Sequence, residues 1–77
     1  MDLMVFGRMV RRQRRKHGLR QDEVASLAGV GTRFVSELEN GKPTLEIGRA
    51  LKVAAIVGLT VRVEPKSWMG FMSPDER

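Results

Sequence analysis

Residues 21–40 carry the feature that most constrains how this chain can fold. The segment has the sequence QDEVASLAGVGTRFVSELEN and predicts two short helices joined by a tight turn. In the first helix, Val24, Leu27 and Ala28 are spaced i, i+3 and i+4, which predicts one apolar face. A helix of this length cannot stand alone in water, so that face must pack against a neighbouring element.

The turn between the two helices consists of small residues. Gly29 stands where the first helix must end, because a residue without Cβ adopts the left-handed C′ conformation at little cost. Gly31 is an acceptable N-cap for the second helix, whose inward face contains Val35 and Leu38. Ala25 is small enough to let the two helices cross closely. Together these features predict a helix-turn-helix unit rather than an ordinary helical hairpin.

Length, charge and composition limit the class of protein. The chain has 77 residues, enough for one small domain with a single core. It contains 14 basic and 9 acidic residues, and the net charge of +5 favours a polyanionic partner such as nucleic acid. Cysteine is absent, which excludes disulfides and cysteine-ligated zinc. No apolar run approaches the roughly 18 residues of a membrane span and no signal-peptide pattern is present, so we expect a cytoplasmic protein.

A basic helix is predicted ahead of the central unit. Asp2 is a good N-cap, residues 3–17 have helical periodicity, and Gly18 ends the helix. The expected inward residues are Leu3, Phe6, Met9 and Val10. The opposite face carries Arg8, Arg11, Arg12, Arg15 and Lys16. Two interpretations of this face remain open, a solvated surface or phosphate contact by at least one of Arg11, Arg12 and Arg15.

A fourth helix is predicted after the loop that follows the central unit. Pro43 blocks continuation of the preceding helix and Thr44 can cap the next one, which we place at Leu45 to Val57. Its buried candidates are Leu45, Leu51, Ala54, Ala55 and Val57. Gly48 within this helix costs roughly 1 kcal/mol relative to alanine, which predicts a close contact there.

Residues 60–64 predict a short β-strand, because residue character alternates strictly before Pro65. A single strand has no partner inside an all-helical domain, so it would fray, bind an N-terminal strand or pair with another chain. We expect it to pair with its own copy in a homodimer. The candidate interface residues are Leu51, Ala55, Leu59, Val61 and Val63.

Residues 66–77 are predicted as a flexible C-terminal tail, separate from a domain formed by residues 1–65. The tail contains Trp68 and Phe71 among small and charged residues and is too short to form a core. One hypothesis is a disordered end whose apolar residues are incidental or pack back on the domain. The other is a linear segment that binds a partner protein through Trp68 and Phe71, since such side chains commonly anchor these contacts.

The central segment and its flanks resemble a known family. GLRQDEVASLAGVGTRFVSELENGKPT, followed by a helix and a short strand, is similar to the Cro/cI-type (Xre) helix-turn-helix regulators. Among them it most resembles the HipB-like antitoxins, which repress their own toxin–antitoxin operons. The resemblance covers Phe6 to about Glu64. It implies an all-α fold, a four-helix lambda-repressor-like helix-turn-helix domain with a short C-terminal β-strand pairing across a homodimer.

The resemblance also implies partners and residue roles. The partners would be a palindromic double-stranded DNA operator and a HipA-type serine/threonine kinase toxin. Gln21 would bind a phosphate, and Arg14 would form a structural pair with Glu39. The residues expected to read bases are Gly31, Thr32, Arg33, Ser36 and Glu37. Arg20 departs from the family, which usually has a capping Thr or Ser there, and it places a positive charge at a helix N-terminus that a nearby phosphate would make tolerable.

Side-chain chemistry supports a similar division of roles. Arg33 can donate two hydrogen bonds to guanine O6 and N7, whereas Thr32 and Ser36 can make single contacts with bases. Asn40 and Lys42 follow the recognition helix and can hold a phosphate there. The full set of expected phosphate contacts is Gln21, Arg20, Asn40, Lys42, Arg11 and Arg15.

We expect no enzyme activity, no cofactor and no metal site. His17 is the sole histidine and lies near a helix end, where capping is its simpler role. Ser36 has no histidine near it in sequence that could act as a base. Two alternatives to the antitoxin remain: a protein-binding module that uses its basic helical surface, and an Xre-type regulator without a toxin partner. Preference for a palindrome over random duplex would distinguish a DNA reader from a protein-binding module.

Overall fold

The computed structural model describes residues 1–65, and this part of the chain consists of four α-helices without a β-strand. They are α1 (Leu3–Lys16), α2 (Gln21–Ala28), α3 (Thr32–Glu39) and α4 (Ile47–Ile56). The second helix packs against α3 and α4, and α1 packs against α3. The all-α, four-helix prediction is therefore confirmed. None of these helices is both long enough and apolar enough to traverse a bilayer.

The first helix begins at Leu3 as predicted and ends at Lys16, one residue before the predicted end. The carboxylate of Asp2 accepts hydrogen bonds from the backbone N–H groups of Met4 and Val5, at 2.9 and 3.3 Å. These bonds satisfy amides that have no partner within the helix. His17 is the C-cap, and Gly18 follows with a left-handed φ of 69°. Basic residues fill the last turn, where their positive charge interacts favourably with the negative end of the helix dipole.

The turn between α2 and α3 also agrees with the sequence prediction. Gly29 has φ 70° and ψ 34°, the left-handed conformation that ends α2. The N–H of Val30 donates to the carbonyl of Ala25 at 2.9 Å. Gly31 is the N-cap of α3, with extended φ and ψ. Ala25 is buried where the two helices meet, as its small size predicted.

One core joins all four helices. It consists of Phe6, Val10, Val24, Ala25, Ala28, Val35, Leu38, Ala50, Val53, Ala54 and Val57. The inward orientation predicted for Leu27 and Met9 is wrong, since they are 63% and 49% exposed. Each precedes a buried residue by one position, and one position turns a side chain about 100° around a helix. The other exposed residues that were expected to be inward are Leu3, Leu51 and Ala55.

The predicted start of α4 is two residues too early. The helix begins at Ile47, and its N-cap is Glu46 rather than Thr44. The Glu46 carboxylate accepts hydrogen bonds from the N–H groups of Gly48 and Arg49, at 2.8 and 3.1 Å. A negative charge at this position also favours the helix dipole. The close contact predicted at Gly48 is with this cap, because a Cβ there would lie 2.8 Å from Glu46 Oε1.

Gly7 allows α1 to cross the C-terminal end of α3. A Cβ at Gly7 would lie 2.7 Å from the carbonyl oxygen of Glu39 and would also overlap the carbonyl of Leu38. Both obstacles are backbone atoms, which cannot move aside as a flexible side chain can. Gly7 therefore sets the distance between the two helices.

Residues 60–64, predicted as a strand, form no regular element in the single chain. A strand requires hydrogen bonds to another strand, and residues 1–65 of one copy provide none. Val61 is half-buried against the core, whereas Val63 is 94% exposed. The predicted tail, with Trp68 and Phe71, lies outside the described residues.

Candidate nucleic-acid interface

A buried ion pair joins α1 to the end of α3. Arg14 Nε lies 2.5 Å from Glu39 Oε2, and Arg14 Nη2 donates to Glu39 Oε1 at 2.9 Å. The remaining guanidinium nitrogen, Nη1, donates to the backbone carbonyl of Leu19 at 2.9 Å. The side chains of Arg14 and Glu39 are only 10% and 3% exposed. The hydrogen bonds to Glu39 raise the pKa of Arg14, and the geometry is that of the predicted structural pair.

Gln21 belongs to the same network, which the sequence analysis missed. Its Nε2 donates to Glu39 Oε1 at 3.1 Å, so the carboxylate of α3 contacts both α1 and the first residue of α2. Gln21 is half-buried. In the described residues this is the one hydrogen bond of its amide group. The second amide hydrogen is therefore free to donate to a phosphate oxygen, while Glu39 fixes the orientation of the side chain.

The outer face of α3 carries most of the residues predicted to read bases. Thr32 and Arg33 in the first turn are exposed, as is the N-cap Gly31, whereas Val35 and Leu38 face the core. Ser36 and Glu37 are half-buried one turn further along. The helix thus has a continuous polar face opposite its core contacts, as groove insertion requires.

Glu37 is bound by two cations of its own chain. Lys42 Nζ lies 3.0 Å from Glu37 Oε2, and Arg33 Nε lies 3.4 Å from the same oxygen. The hydrogen bond from Lys42 lowers the pKa of Glu37. Arg33 nevertheless remains 88% exposed. Glu37 therefore contacts a predicted base-reading residue and a predicted phosphate-binding residue, and the i, i+4 spacing of Arg33 and Glu37 is the sequence signal for one of these pairs.

Asn40 caps α3 and is exposed on the same end of the unit. Its Nδ2 donates to the backbone carbonyl of Ser36 at 2.9 Å. Gly41 follows with φ 80°, and its backbone packs closely against Met4 of α1. This turn brings Lys42 back beside α3, where its side chain reaches Glu37.

Arg20 precedes α2 and is exposed. Its guanidinium has no acceptor atom and cannot cap the helix, but its backbone N–H donates to Glu23 Oε1 at 2.8 Å. The side chain turns to Asp22, whose carboxylate lies 3.1 Å away, and this hydrogen bond lowers the pKa of Asp22. Glu23 thus supplies one half of a capping box, and the unfavourable charge at the helix start is offset by two nearby acids.

The exposed cations of α1 have a different environment. Five of them form no ion pair within residues 1–65. These are Arg8, Arg11, Arg12, Arg15 and Lys16. Their mutual repulsion is relieved only by water, salt or an anionic partner. The structure leaves both interpretations of this face open, the solvated surface and the phosphate contact.

The residues predicted at a dimer interface lie on and after α4. Leu51 is 41% exposed, Ala55 and Val63 are also exposed, and Leu59 and Val61 are half-buried against the core. Three of them, Leu51, Val61 and Val63, line one apolar groove. The interface itself requires a second chain and stays a prediction.

Comparison with known proteins agrees with this geometry. The helix-turn-helix family model HTH_3 matches residues 10–63. The chain is 47% identical over 58 residues to the uncharacterized HTH-type transcriptional regulator y4mF of Sinorhizobium fredii (strain NBRC 101917 / NGR234). This alignment covers 75% of this chain and 76% of that protein.

A solved structure is similar along most of its length. It is the restriction-modification controller protein C.AhdI from Aeromonas hydrophila, with a TM-score of 0.67 and 30% identity. The match covers 77% of this chain and 86% of that one. The family model spans the whole of the α2–turn–α3 unit. This chain therefore belongs to the helix-turn-helix family of transcriptional regulators.

Proposed function

We propose that the protein is a sequence-specific transcriptional repressor that reads double-stranded DNA with the outer face of α3. The observation that carries this proposal is the 88% exposed Arg33 in the first turn of α3, on a helix whose opposite face is fixed in the core. A guanidinium held there can donate two parallel hydrogen bonds to guanine in the major groove. Thr32 and Ser36, on the same face, can contact neighbouring bases.

Positioning contacts would surround the recognition helix. Gln21 has a free amide hydrogen at the start of α2, where unpaired backbone N–H groups also favour an anion. Asn40 and Lys42 extend the surface beyond the end of α3, and Arg11 and Arg15 of α1 are exposed cations without an ion pair within residues 1–65. Phosphate contacts of this kind set orientation without reading sequence.

Glu37 is better suited to orient these cations than to read bases itself. Its carboxylate is already bonded to Lys42 and close to Arg33. For Glu37 to accept a hydrogen bond from a cytosine, these interactions would have to be exchanged. We therefore place Arg33, Thr32 and Ser36 ahead of Glu37 and Gly31 as base contacts.

Two substitutions test the division between base and phosphate contacts. Arg33→Ala should weaken binding to the cognate operator by roughly 1–3 kcal/mol and leave binding to random duplex nearly unchanged. Gln21→Ala should weaken both by similar factors, because a phosphate is present in every sequence. Fluorescence anisotropy with duplexes from the region upstream of the gene and with shuffled duplexes, at several salt concentrations, measures both effects.

The outcomes separate the proposal from its rival. Equal losses for Arg33→Ala on both duplexes would remove Arg33 as a base reader. If the wild-type protein does not prefer any operator over shuffled DNA, a protein-binding module with a basic helical surface becomes the better hypothesis. Arg49→Ala is a matched control, because Arg49 is an exposed arginine on α4 paired with Glu46 and has no predicted DNA contact.

The finer form of the proposal is a cytoplasmic HipB-like antitoxin that acts as a homodimer on a palindromic operator. Its support is the resemblance of the segment SELENGKPT, together with the exposed apolar residues on and after α4. In this form Trp68 and Phe71 would contact a HipA-type kinase toxin. Co-purification with a kinase encoded beside the gene tests it. An Xre-type regulator without a toxin partner would bind the same operator and retain no kinase.

A further inference from the structure

An apolar groove on the described domain is open to solvent. It has a volume of about 450 Å³ and lies between the start of α1, the start of α4 and the residues after α4. Its lining includes Leu3, Leu45, Ile47, Leu51, Val61 and Val63. Ile47 is 73% exposed and Val63 is 94% exposed. Exposure of several large apolar side chains around one groove is unfavourable, and covering them would remove apolar surface from water and stabilise the protein.

The chain itself leaves the described structure at the rim of this groove. Val63 lines the groove, and only Glu64 and Pro65 follow before the last twelve residues. The segment 68–74, WMGFMSP, contains no charged residue and four large apolar side chains. An extended chain covers at most roughly 3.6 Å per residue, so the five residues from Val63 to Trp68 reach up to about 18 Å. That length is sufficient for the segment to turn back over the groove.

We propose that residues 68–72 pack into this groove of their own chain, with Trp68 and Phe71 as the anchoring side chains. A segment tethered this close has an effective concentration of the order of millimolar, which favours its own groove over a free competitor. Ile47 and Val63 then become buried beneath the aromatic rings.

The docked segment would share its surface with the proposed homodimer. Leu51, Val61 and Val63 line the groove and are also predicted interface residues. Docking would cover residues that the proposed homodimer also uses, so the tail and a second copy would compete for them. A partner that binds Trp68 and Phe71 would release the groove.

Trp68 is the only tryptophan of the chain, so its fluorescence reports docking without a label. In the full-length protein at nanomolar concentration we expect blue-shifted emission and weaker acrylamide quenching than in the urea-unfolded chain. Ile47→Asp and Val63→Asp should each shift the emission to the red and increase quenching. Leu27→Asp is the matched control, because Leu27 is a 63% exposed leucine on α2 outside the groove, and it should leave both signals unchanged.

Far-UV circular dichroism establishes that each variant is folded. Val63→Asp keeps the test decisive even if Ile47→Asp unfolds, because Val63 is almost fully exposed in the described domain and contributes little to its core. Trp68 emission and quenching that match the unfolded chain would overturn the proposal. Burial of Trp68 that appears only as protein concentration rises would also overturn it, since the occupant would then come from a second copy.

Discussion

At the scale of single residues, Glu39 is hydrogen-bonded to side chains of two other helices. It belongs to α3, accepts two hydrogen bonds from Arg14 of α1 and a third from Gln21 of α2. Its carboxylate is almost completely buried and cannot be solvated by water, so these hydrogen bonds are what satisfies its oxygens. Besides the apolar core, one side chain therefore ties the α2–turn–α3 unit to α1.

Glu39→Leu should destabilise the domain strongly. It leaves the Arg14 guanidinium buried without a counter-ion, and removal of one partner of a buried pair typically costs about 3–5 kcal/mol. The double variant Arg14→Met/Glu39→Leu removes both charges and should recover much of that loss. Urea unfolding followed by circular dichroism measures all three proteins. If the double variant is as unstable as Glu39→Leu, the buried unpaired charge is not the cause.

Single residues also mark where sequence reasoning succeeded and where it missed. The pairing of Arg14 with Glu39 was expected from the family resemblance, and the geometry agrees. The bond from Gln21 to Glu39 was not expected, since a half-buried amide on a different helix leaves no periodic signal. A close contact was predicted at Gly48 from the cost of glycine inside a helix, but the same argument was not made for Gly7. Gly7 is the glycine at which a Cβ would meet the backbone of another helix.

At the scale of elements, helix ends with a conformational requirement were predictable, and those that depend on a choice of cap were not. Gly18 and Gly29 end α1 and α2 with positive φ, which no other residue adopts as easily. For α4 the sequence analysis named only Thr44, whose hydroxyl is a preferred N-cap group, whereas the cap in the structure is Glu46. Leu45, a predicted buried residue, does pack against the core, but from the loop before α4 and not from within the helix.

The two candidate caps of α4 can be distinguished directly. Glu46→Ala should cost about 1 kcal/mol of stability, because the N–H groups of Gly48 and Arg49 lose their acceptor and the helix dipole loses a nearby negative charge. Thr44→Ala is the control and should change stability little, since α4 begins two residues after the position that Thr44 could cap. Thermal denaturation of both variants gives the comparison. A larger loss for Thr44→Ala would show that the helix begins earlier in solution.

At the scale of the whole molecule, residues 1–65 of one copy present one exposed face of α3 and one open apolar groove. Helix order and the turn of the α2–turn–α3 unit follow from periodicity and glycine placement. Periodicity found core positions such as Val10 and Val24 but placed Met9 and Leu27 on the wrong face. The fate of residues 60–64 does not follow from periodicity, because a strand is defined by its partner and the sequence of one chain names none. The strand expected from the alternation of residue character is not formed in the single chain, and its pairing with a second copy stays a prediction.

In the proposed homodimer, residues 60–64 of the two copies pair as β-strands. Two recognition helices fixed by a two-fold axis can read half-sites about one DNA turn apart. Val61→Pro removes a backbone N–H donor and fixes φ, so it should weaken dimerisation and, through it, binding to the palindrome. Sedimentation velocity measures the first effect and anisotropy measures the second.

Val61→Ala separates the two contributions that Val61 could make to this dimer. The alanine keeps the N–H donor and loses only apolar contact, so it should weaken the dimer less than proline does. Equal effects of the two variants would assign the interface to side-chain packing rather than to a strand ladder. A wild-type protein that is monomeric at micromolar concentration and still binds the palindrome at full strength would exclude the dimer altogether, because a single α3 reaches only one half-site.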